Sequence, residues 1–110
     1  MEIVVRSQGG ASVIDLAGRL DAHQSKHVTQ MLANTVAATP RVIVNLKQVH
    51  FIDSTGLATL VRGMRQSREK AGDLVLCDLQ QPVRIIFELT KLDRAFQIYS
   101  SEQAALQALQ

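Results

Sequence analysis

The sequence predicts an α/β fold with a mixed β-sheet of about four to five strands and about four helices. Short β-branched runs alternate with longer segments whose apolar residues recur at helical spacing, in the order β-β-α-β-α-β-α-β-α. Strands that alternate with helices form parallel crossovers, with the opening strand pair as the antiparallel exception. The chain has 110 residues, of which 46% are hydrophobic, and carries no linker, repeat or low-complexity stretch. Residues 1–110 are therefore predicted to form one domain.

The opening segment predicts a hairpin followed by a helix. Residues 3–5 and 11–17 are the two strands, and Gly9-Gly10 between them suits a tight turn because glycine readily adopts positive φ. Asp21 is expected to be the N-cap of a helix over residues 22–38.

Two buried strands flank the second predicted helix. Residues 41–46 form a β-branched run typical of a central strand, and residues 47–52 are expected to connect it to the helix. This helix begins near Ser54 and is expected to stop at Gly72. Residues 73–79 predict the next strand.

The last third of the chain predicts a helix, a strand and a closing helix. Pro82 suits the first turn of a helix over residues 82–92, with Leu89 or Leu92 as an inward-facing residue. Residues 96–99 predict the last strand. Ser101 is expected to cap the closing amphipathic helix.

Composition disfavours several classes of partner. Twelve basic and ten acidic residues give a net charge of +2, and aromatic residues make up only 4%, so neither a basic surface nor base-stacking platforms indicate nucleic-acid binding. No apolar run approaches the roughly 18 residues that span a bilayer, and no signal peptide is evident. The lone Cys77 cannot form an internal disulfide and is expected to be an unreactive core residue. A cytoplasmic protein without a membrane partner is expected.

The sequence lacks the usual motifs of catalytic sites. No phosphate-binding glycine loop precedes a helix, and Ser54 does not lie in the G-x-S-x-G motif of hydrolases. His50 is only four residues before Ser54, which leaves a triad without an obvious base. His23 and His27 could share a metal, but no third ligand is evident, so they are expected to be surface residues. We expect no enzyme activity, no cofactor and no metal.

The segment Asp53-Ser54-Thr55-Gly56 at the start of the second helix stands out. The first N–H groups of a helix have no internal partner, so capping alone would account for the carboxylate and the two hydroxyls. The same position also favours a phosphate, because the helix dipole stabilises negative charge there. Both interpretations stay open on the residues alone.

In this context the sequence resembles the STAS domain, and in particular the bacterial anti-sigma factor antagonists that work by partner switching. The resemblance rests on Asp53-Ser54-Thr55-Gly56-Leu57, on Gly18-Arg19-Leu20-Asp21 and on Val44-Asn45-Leu46, and it spans essentially the whole chain. Asn45 stands where many members have aspartate. The resemblance implies a single STAS domain whose helices pack mainly on one side of the sheet.

The resemblance also implies how such a protein is regulated. Ser54 matches the serine that is phosphorylated by an anti-sigma factor, a serine/threonine kinase of the histidine-kinase-like ATPase fold. A PP2C-type phosphatase is the expected partner that removes the phosphate. Asp53 and Asp21 match acidic residues of the phosphorylation and docking site, which also takes in Gly56. Thr55 is the minor alternative acceptor.

The helix after Ser54 carries four basic residues, Arg62, Arg65, Arg68 and Lys70. They either form a solvated face or, at Arg62 and Arg65, extend the docking surface toward an acidic partner.

The resemblance leaves the output of the protein open. The first hypothesis is an anti-sigma factor antagonist that is inactivated by phosphorylation at Ser54. The alternatives are a STAS regulator of another signalling protein and a STAS subunit of a lipid-transport or transporter complex. An intact acceptor motif at Ser54 argues against the last of these.

Overall fold

The computed structural model describes all residues, 1–110, and contains the predicted elements in the predicted order. The elements are β1 (Glu2–Gln8), β2 (Ala11–Leu20), α1 (Ser25–Ala38), β3 (Arg41–Ile52), α2 (Ser54–Glu69), β4 (Asp73–Cys77), α3 (Gln81–Leu89), a 3₁₀ turn (Leu92–Arg94), β5 (Ile98–Tyr99) and α4 (Glu102–Leu109). The sheet order is β1-β2-β3-β4-β5. Only β1 and β2 are antiparallel, and the other neighbours are parallel. The α/β prediction with a mixed sheet is confirmed.

The helices divide unequally between the two faces of the sheet. Helices α1, α2 and α3 cover one face, where Val42 and Val44 of β3 point. Helix α4 covers the other face, where Ile43 packs with Ala105. Because β3 is buried on both sides, its first half is a continuous apolar run without alternation. The expectation that the helices lie mainly on one side is confirmed.

Strand β3 is six residues longer than predicted. The expected connection over residues 47–52 is wrong, because these residues pair with β2, for example Gly18 with Val49 and Leu20 with Ile52. Two register shifts interrupt the pairing and disturb the alternation of buried and exposed residues. As a result β3 runs directly into α2, with Asp53 as the single residue between them.

Helix α1 begins three residues later than predicted, and Asp21 is not its N-cap. The N-cap is Gln24, whose side chain makes no capping hydrogen bond. Asp21 Oδ1 instead accepts from the N–H of His23 at 3.1 Å. A carboxylate that bonds two residues ahead closes a turn of its own, which delays the start of the helix.

The second helix ends at Glu69, and the left-handed residue that follows is Ala71, with φ 62°. The expectation that Gly72 stops this helix through its own flexibility is wrong. Gly72 is needed for space, since a Cβ there would overlap the carbonyl of Pro40.

The third helix ends at Leu89, before Lys91 adopts a left-handed φ of 64°. Of the two candidate core residues, Leu92 packs against the core, whereas Leu89 is 74% exposed. Ser101 caps α4 as predicted, because its hydroxyl accepts from the N–H of Ala104 at 3.1 Å.

Cys77 is fully buried on β4, and this burial raises the pKa of its thiol. The prediction that it is a core residue is confirmed. None of the helices combines the length and the hydropathy that crossing a bilayer requires.

A network of charged hydrogen bonds fastens α4 to the strands. The Arg6 guanidinium donates to both carboxylate oxygens of Asp15, at 2.6 and 3.0 Å, and to Glu102, at 2.6 and 3.2 Å. Asn45 Nδ2 also donates to Glu102, at 3.2 Å. These hydrogen bonds, chiefly the one from Arg6, lower the pKa of the Glu102 carboxyl. The first turn of α4 is therefore tied to three strands.

We expect Glu102→Gln to lower the free energy of unfolding at neutral pH by about 1 kcal/mol. The pKa of Glu102 is lower in the folded state than its ordinary 4.5, so the unfolded state binds more protons. The stability that Glu102 provides is thus present above that value and is lost as the pH falls through the folded pKa. Urea unfolding across this range should show the variant and the wild type converging in acid.

Glu88→Gln is the matched control, because Glu88 is exposed and takes part in no ion pair. If Glu102→Gln showed the same acid dependence as the wild type, the network would not contribute to stability.

Candidate functional site

The residues singled out by the sequence meet at the carboxyl ends of β2 and β3. Leu20 and Ile52 are paired in register at the ends of these strands. Asp21 and Asp53 follow them directly, so the two acidic residues are neighbours. In parallel α/β sheets this edge is the usual place for binding sites.

Asp53 is the residue that holds this edge together. It is the N-cap of α2, and its Oδ1 accepts from the N–H of Gly56 at 2.9 Å. Its Oδ2 accepts from the N–H of Ala22 at 3.1 Å, and its own N–H donates to the carbonyl of Leu20 at 3.3 Å. One carboxylate therefore ties the start of α2 to the turn after β2.

Gly56 lets α2 begin in contact with β2. A Cβ at this position would overlap the carbonyl oxygen of Leu20 and crowd the side chain of Ile52. Any larger residue would push the first turn of the helix away from the sheet. The glycine therefore fixes where the two preceding hydroxyls stand.

Ser54 is the first residue of α2, and its exposed hydroxyl has no hydrogen-bond partner within the chain. Capping thus accounts for Asp53 but not for Ser54 or Thr55. The two hydroxyls border different depressions of the surface. Ser54 lines a groove of about 480 Å³, whereas Thr55 lines a cleft of about 340 Å³ between α1 and α2. They are therefore approached from different directions.

The groove beside Ser54 combines apolar and cationic side chains. Its lining includes Leu57, Val61, Leu92, Arg62 and Arg65. Neither arginine takes part in an ion pair.

The other two basic residues of this helix lie outside the groove. Arg68 is bound to Asp73 at 3.0 Å and to the carbonyl of Ala95 at 3.1 Å, which makes it a structural residue. Lys70 follows the end of α2 and is exposed.

Asp21 lies outside the groove, in the turn that follows β2. Its Oδ2 is 3.5 Å from Nε of Arg19, and the Arg19 guanidinium lies 3.9 Å from the centre of the Phe51 ring. This stacked pair was not among the predicted site residues. Phe51 falls in the segment that the sequence pattern assigned to a connection, and only its pairing with Arg19 across β2 and β3 brings the two together.

His23 and His27 are exposed, one in the turn before α1 and the other in its first turn. Nowhere in residues 1–110 do three or more histidine, cysteine, aspartate or glutamate side chains form a group that could hold a metal ion.

Comparison with known proteins agrees with this architecture. The family model described as "STAS domain" matches residues 2–105. The anti-sigma F factor antagonist of Paenibacillus polymyxa is 26% identical, with 100% of this chain and 96% of the relative covered. The anti-sigma-B factor antagonist of Listeria monocytogenes is 30% identical, with coverages of 81% and 79%.

Solved structures show the same fold. An anti-sigma factor antagonist from Mycobacterium paratuberculosis superposes with a TM-score of 0.89 at 26% identity, covering 98% of this chain and 92% of the other. The Bacillus cell fate determinant SpoIIAA in its phosphorylated form gives a TM-score of 0.76 at 21% identity, with coverages of 99% and 100%. Since the family model covers nearly the whole chain, this protein belongs to the STAS domain family.

Proposed function

We propose that this protein is a cytoplasmic anti-sigma factor antagonist that works by partner switching. Its unphosphorylated form binds an anti-sigma factor, a serine/threonine kinase of the histidine-kinase-like ATPase fold, which then releases a sigma factor. Phosphorylation of Ser54 ends the interaction, and a PP2C-type phosphatase restores it. In this role the protein is a regulator and not an enzyme. The observation that carries the proposal is the exposed, unpartnered Ser54 hydroxyl on a rigid turn beside a cationic groove.

The position of Ser54 suits a phosphoacceptor. A kinase can reach only an exposed hydroxyl, and that of Ser54 is exposed. The Asp53 cap and the close packing of Gly56 hold its backbone in a defined position, which a partner could recognise. Thr55 is also exposed, but it borders the cleft between α1 and α2 and not the groove. Arg62 borders both depressions, whereas Arg65 lies only in the groove beside Ser54, so we infer that Ser54 is the acceptor.

A phosphate on Ser54 would act locally. It adds about −1.5 to −2 charges next to the Asp53 carboxylate and at the mouth of the groove. The free N–H groups of the first helical turn favour the phosphate by about 0.3 to 2 kcal/mol, and repulsion from Asp53 opposes this. Because the two effects offset each other, the fold should change little while the partner meets a new charge.

The positive charges of Arg62 and Arg65 indicate that the partner is acidic. Both line the groove next to Ser54 and neither is neutralised by a carboxylate of this chain. Unpaired cations at the edge of an interface mainly accelerate association with a surface of opposite charge. We infer that the partner places acidic side chains against this groove.

We expect Ser54→Asp to weaken binding to the cognate anti-sigma factor by about 100- to 1,000-fold, which corresponds to roughly 3 to 4 kcal/mol. Ser54→Ala should bind as the wild type does, because the hydroxyl makes no contact within the chain. Titration calorimetry measures both affinities, and thermal unfolding should show that both variants keep the wild-type stability to within about 1 kcal/mol. Equal affinity of the two variants would contradict a switch at Ser54.

Incubation with ATP and the cognate kinase identifies the acceptor directly. Mass spectrometry should find one phosphate on the wild type and on Thr55→Ala, and none on Ser54→Ala. The opposite pattern would assign the switch to Thr55 and to the cleft between α1 and α2.

We expect the double charge reversal Arg62→Glu with Arg65→Glu to slow association with the partner by about 10-fold at low salt. The difference should shrink as salt is added, since charges more than about 10 Å apart are largely screened at 0.1 M. Stopped-flow association rates measure this effect. Lys47→Glu with Lys70→Glu is the control with the same change in net charge, because both lysines are exposed and lie outside the groove. An on-rate that falls equally in both pairs would indicate a general charge effect and exclude a groove contact.

A further inference from the structure

We propose that Arg19 and Phe51 form a second contact region for the partner, at the ends of β2 and β3 and separate from the arginine groove beside Ser54. The occupant is the protein that binds at Ser54, and at this point it presents a carboxylate beside an apolar side chain. The proposal rests on the proposed function, because it extends the same docking surface.

The position of the pair in the sheet leaves it uncovered. Strand β4 pairs with β3 only as far as Asn45, so the ends of β2 and β3 continue as a two-stranded ribbon. Phe51 lies six residues beyond Asn45, or about 20 Å along an extended strand. Leu20 and Ile52 of this ribbon turn inward to the helices and are buried. Their strand neighbours Arg19 and Phe51 remain exposed on the ribbon.

The surroundings of Phe51 differ from those of the other aromatic residues. Phe87 and Phe96 are buried and meet edge to face, with ring centroids 5.7 Å apart, and Tyr99 packs against α4. Phe51 instead is 36% exposed, and the Arg19 guanidinium lies over one face of its ring. It is thus the aromatic ring of this chain that is available to another protein.

The stack orders both side chains before any partner arrives. The Arg19 guanidinium rests on the ring at 3.9 Å, and its Nε reaches Asp21 only at 3.5 Å. Its terminal N–H groups donate no hydrogen bond within the chain and are free to donate to a carboxylate of the partner. Side chains that are already ordered lose less entropy on binding, and arginine and aromatic residues, phenylalanine included, are enriched at protein interfaces.

The stack is continuous with the phosphorylation site. Arg19 contacts Asp21, the next residue Ala22 donates to Asp53, and Asp53 directly precedes Ser54. A partner that buries a standard area of about 800 Å² of this chain around Ser54 would extend in both directions. It would then meet Arg19 as well as Arg62 and Arg65. Unlike the two groove arginines, Arg19 is paired with Asp21 through Nε, so only its terminal N–H groups are free to bind a carboxylate of the partner.

Calorimetric titration of the full chain with the cognate anti-sigma factor tests the inference. We expect Phe51→Ala to weaken binding at least 10-fold. Arg19→Lys keeps the charge but loses the planar stack, and we expect it to weaken binding about 3- to 10-fold. Phe51→Tyr retains the ring face and should bind as the wild type does. Leu89→Ala is the control, because Leu89 is more exposed than Phe51 but lies on α3.

The same titration distinguishes the loss of a binding contact from the loss of folded protein. All variants are compared at a temperature at which thermal unfolding shows them fully folded, so a loss of binding cannot reflect unfolded chain. Wild-type affinity of Phe51→Ala and Arg19→Lys, with binding still abolished by Ser54→Asp, would overturn this inference and leave the proposed function intact. Loss of binding in Leu89→Ala equal to that in Phe51→Ala would overturn it as well. If the wild-type chain itself failed to bind, the proposed function would fail, and this inference with it.

Discussion

The Asp53 carboxylate is the interaction on which the site depends. Its two oxygens accept N–H groups from different segments, one in the first turn of α2 and one in the turn after β2. Charged acceptors make stronger hydrogen bonds than neutral ones, and these two bonds join elements that are distant in sequence. Because Gly56 also packs directly on the carbonyl of Leu20, the backbone around Ser54 has little freedom to move. The acidic residue that the family resemblance assigned to docking therefore also has a structural role. Its capping of α2 was one of the interpretations that the sequence left open, whereas its bond to the turn after β2 could not be seen in the sequence.

Some arginines of this chain are bonded to other parts of the fold, whereas others are free to bind a partner. Composition alone cannot show this difference. Arg6 joins β1 to β2 and α4 through two carboxylates, and Arg68 joins α2 to β4. Arg62 and Arg65 have no such partner and lie beside Ser54. The small net charge of +2 therefore conceals a local excess of positive charge in the groove, whose lining contains no acidic residue. An acidic partner would respond to this local excess, since attraction between separated charges is screened over about 10 Å in salt.

Much of the fold could be predicted because strong local signals agreed with the final packing. The paired glycines, the β-branched run of β3 and the Ser101 cap each favour one local conformation. The wrong predictions of secondary structure lie where tertiary contacts override the local sequence pattern. Residues 47–52 form a strand because β2 supplies a partner for them, and the register shifts disturb the alternation that would otherwise have shown it. The same error concealed the Arg19 and Phe51 pair, since a contact between neighbouring strands cannot be inferred while one of them is assigned to a loop.

The rigidity of the site bears on how a switch there could operate. A phosphate can change a protein either by reorganising a segment or by altering a surface that another protein reads. Reorganisation would require the Asp53 bonds and the Gly56 contact to give way, whereas Ser54 is exposed and can carry a phosphate without displacing them. The helix dipole favours the phosphate and repulsion from Asp53 opposes it, so the two effects act against each other and the chain itself has little reason to rearrange. Discrimination between the two forms must then reside in the partner. It meets either a neutral hydroxyl or about −1.5 to −2 charges beside a groove that carries Arg62 and Arg65.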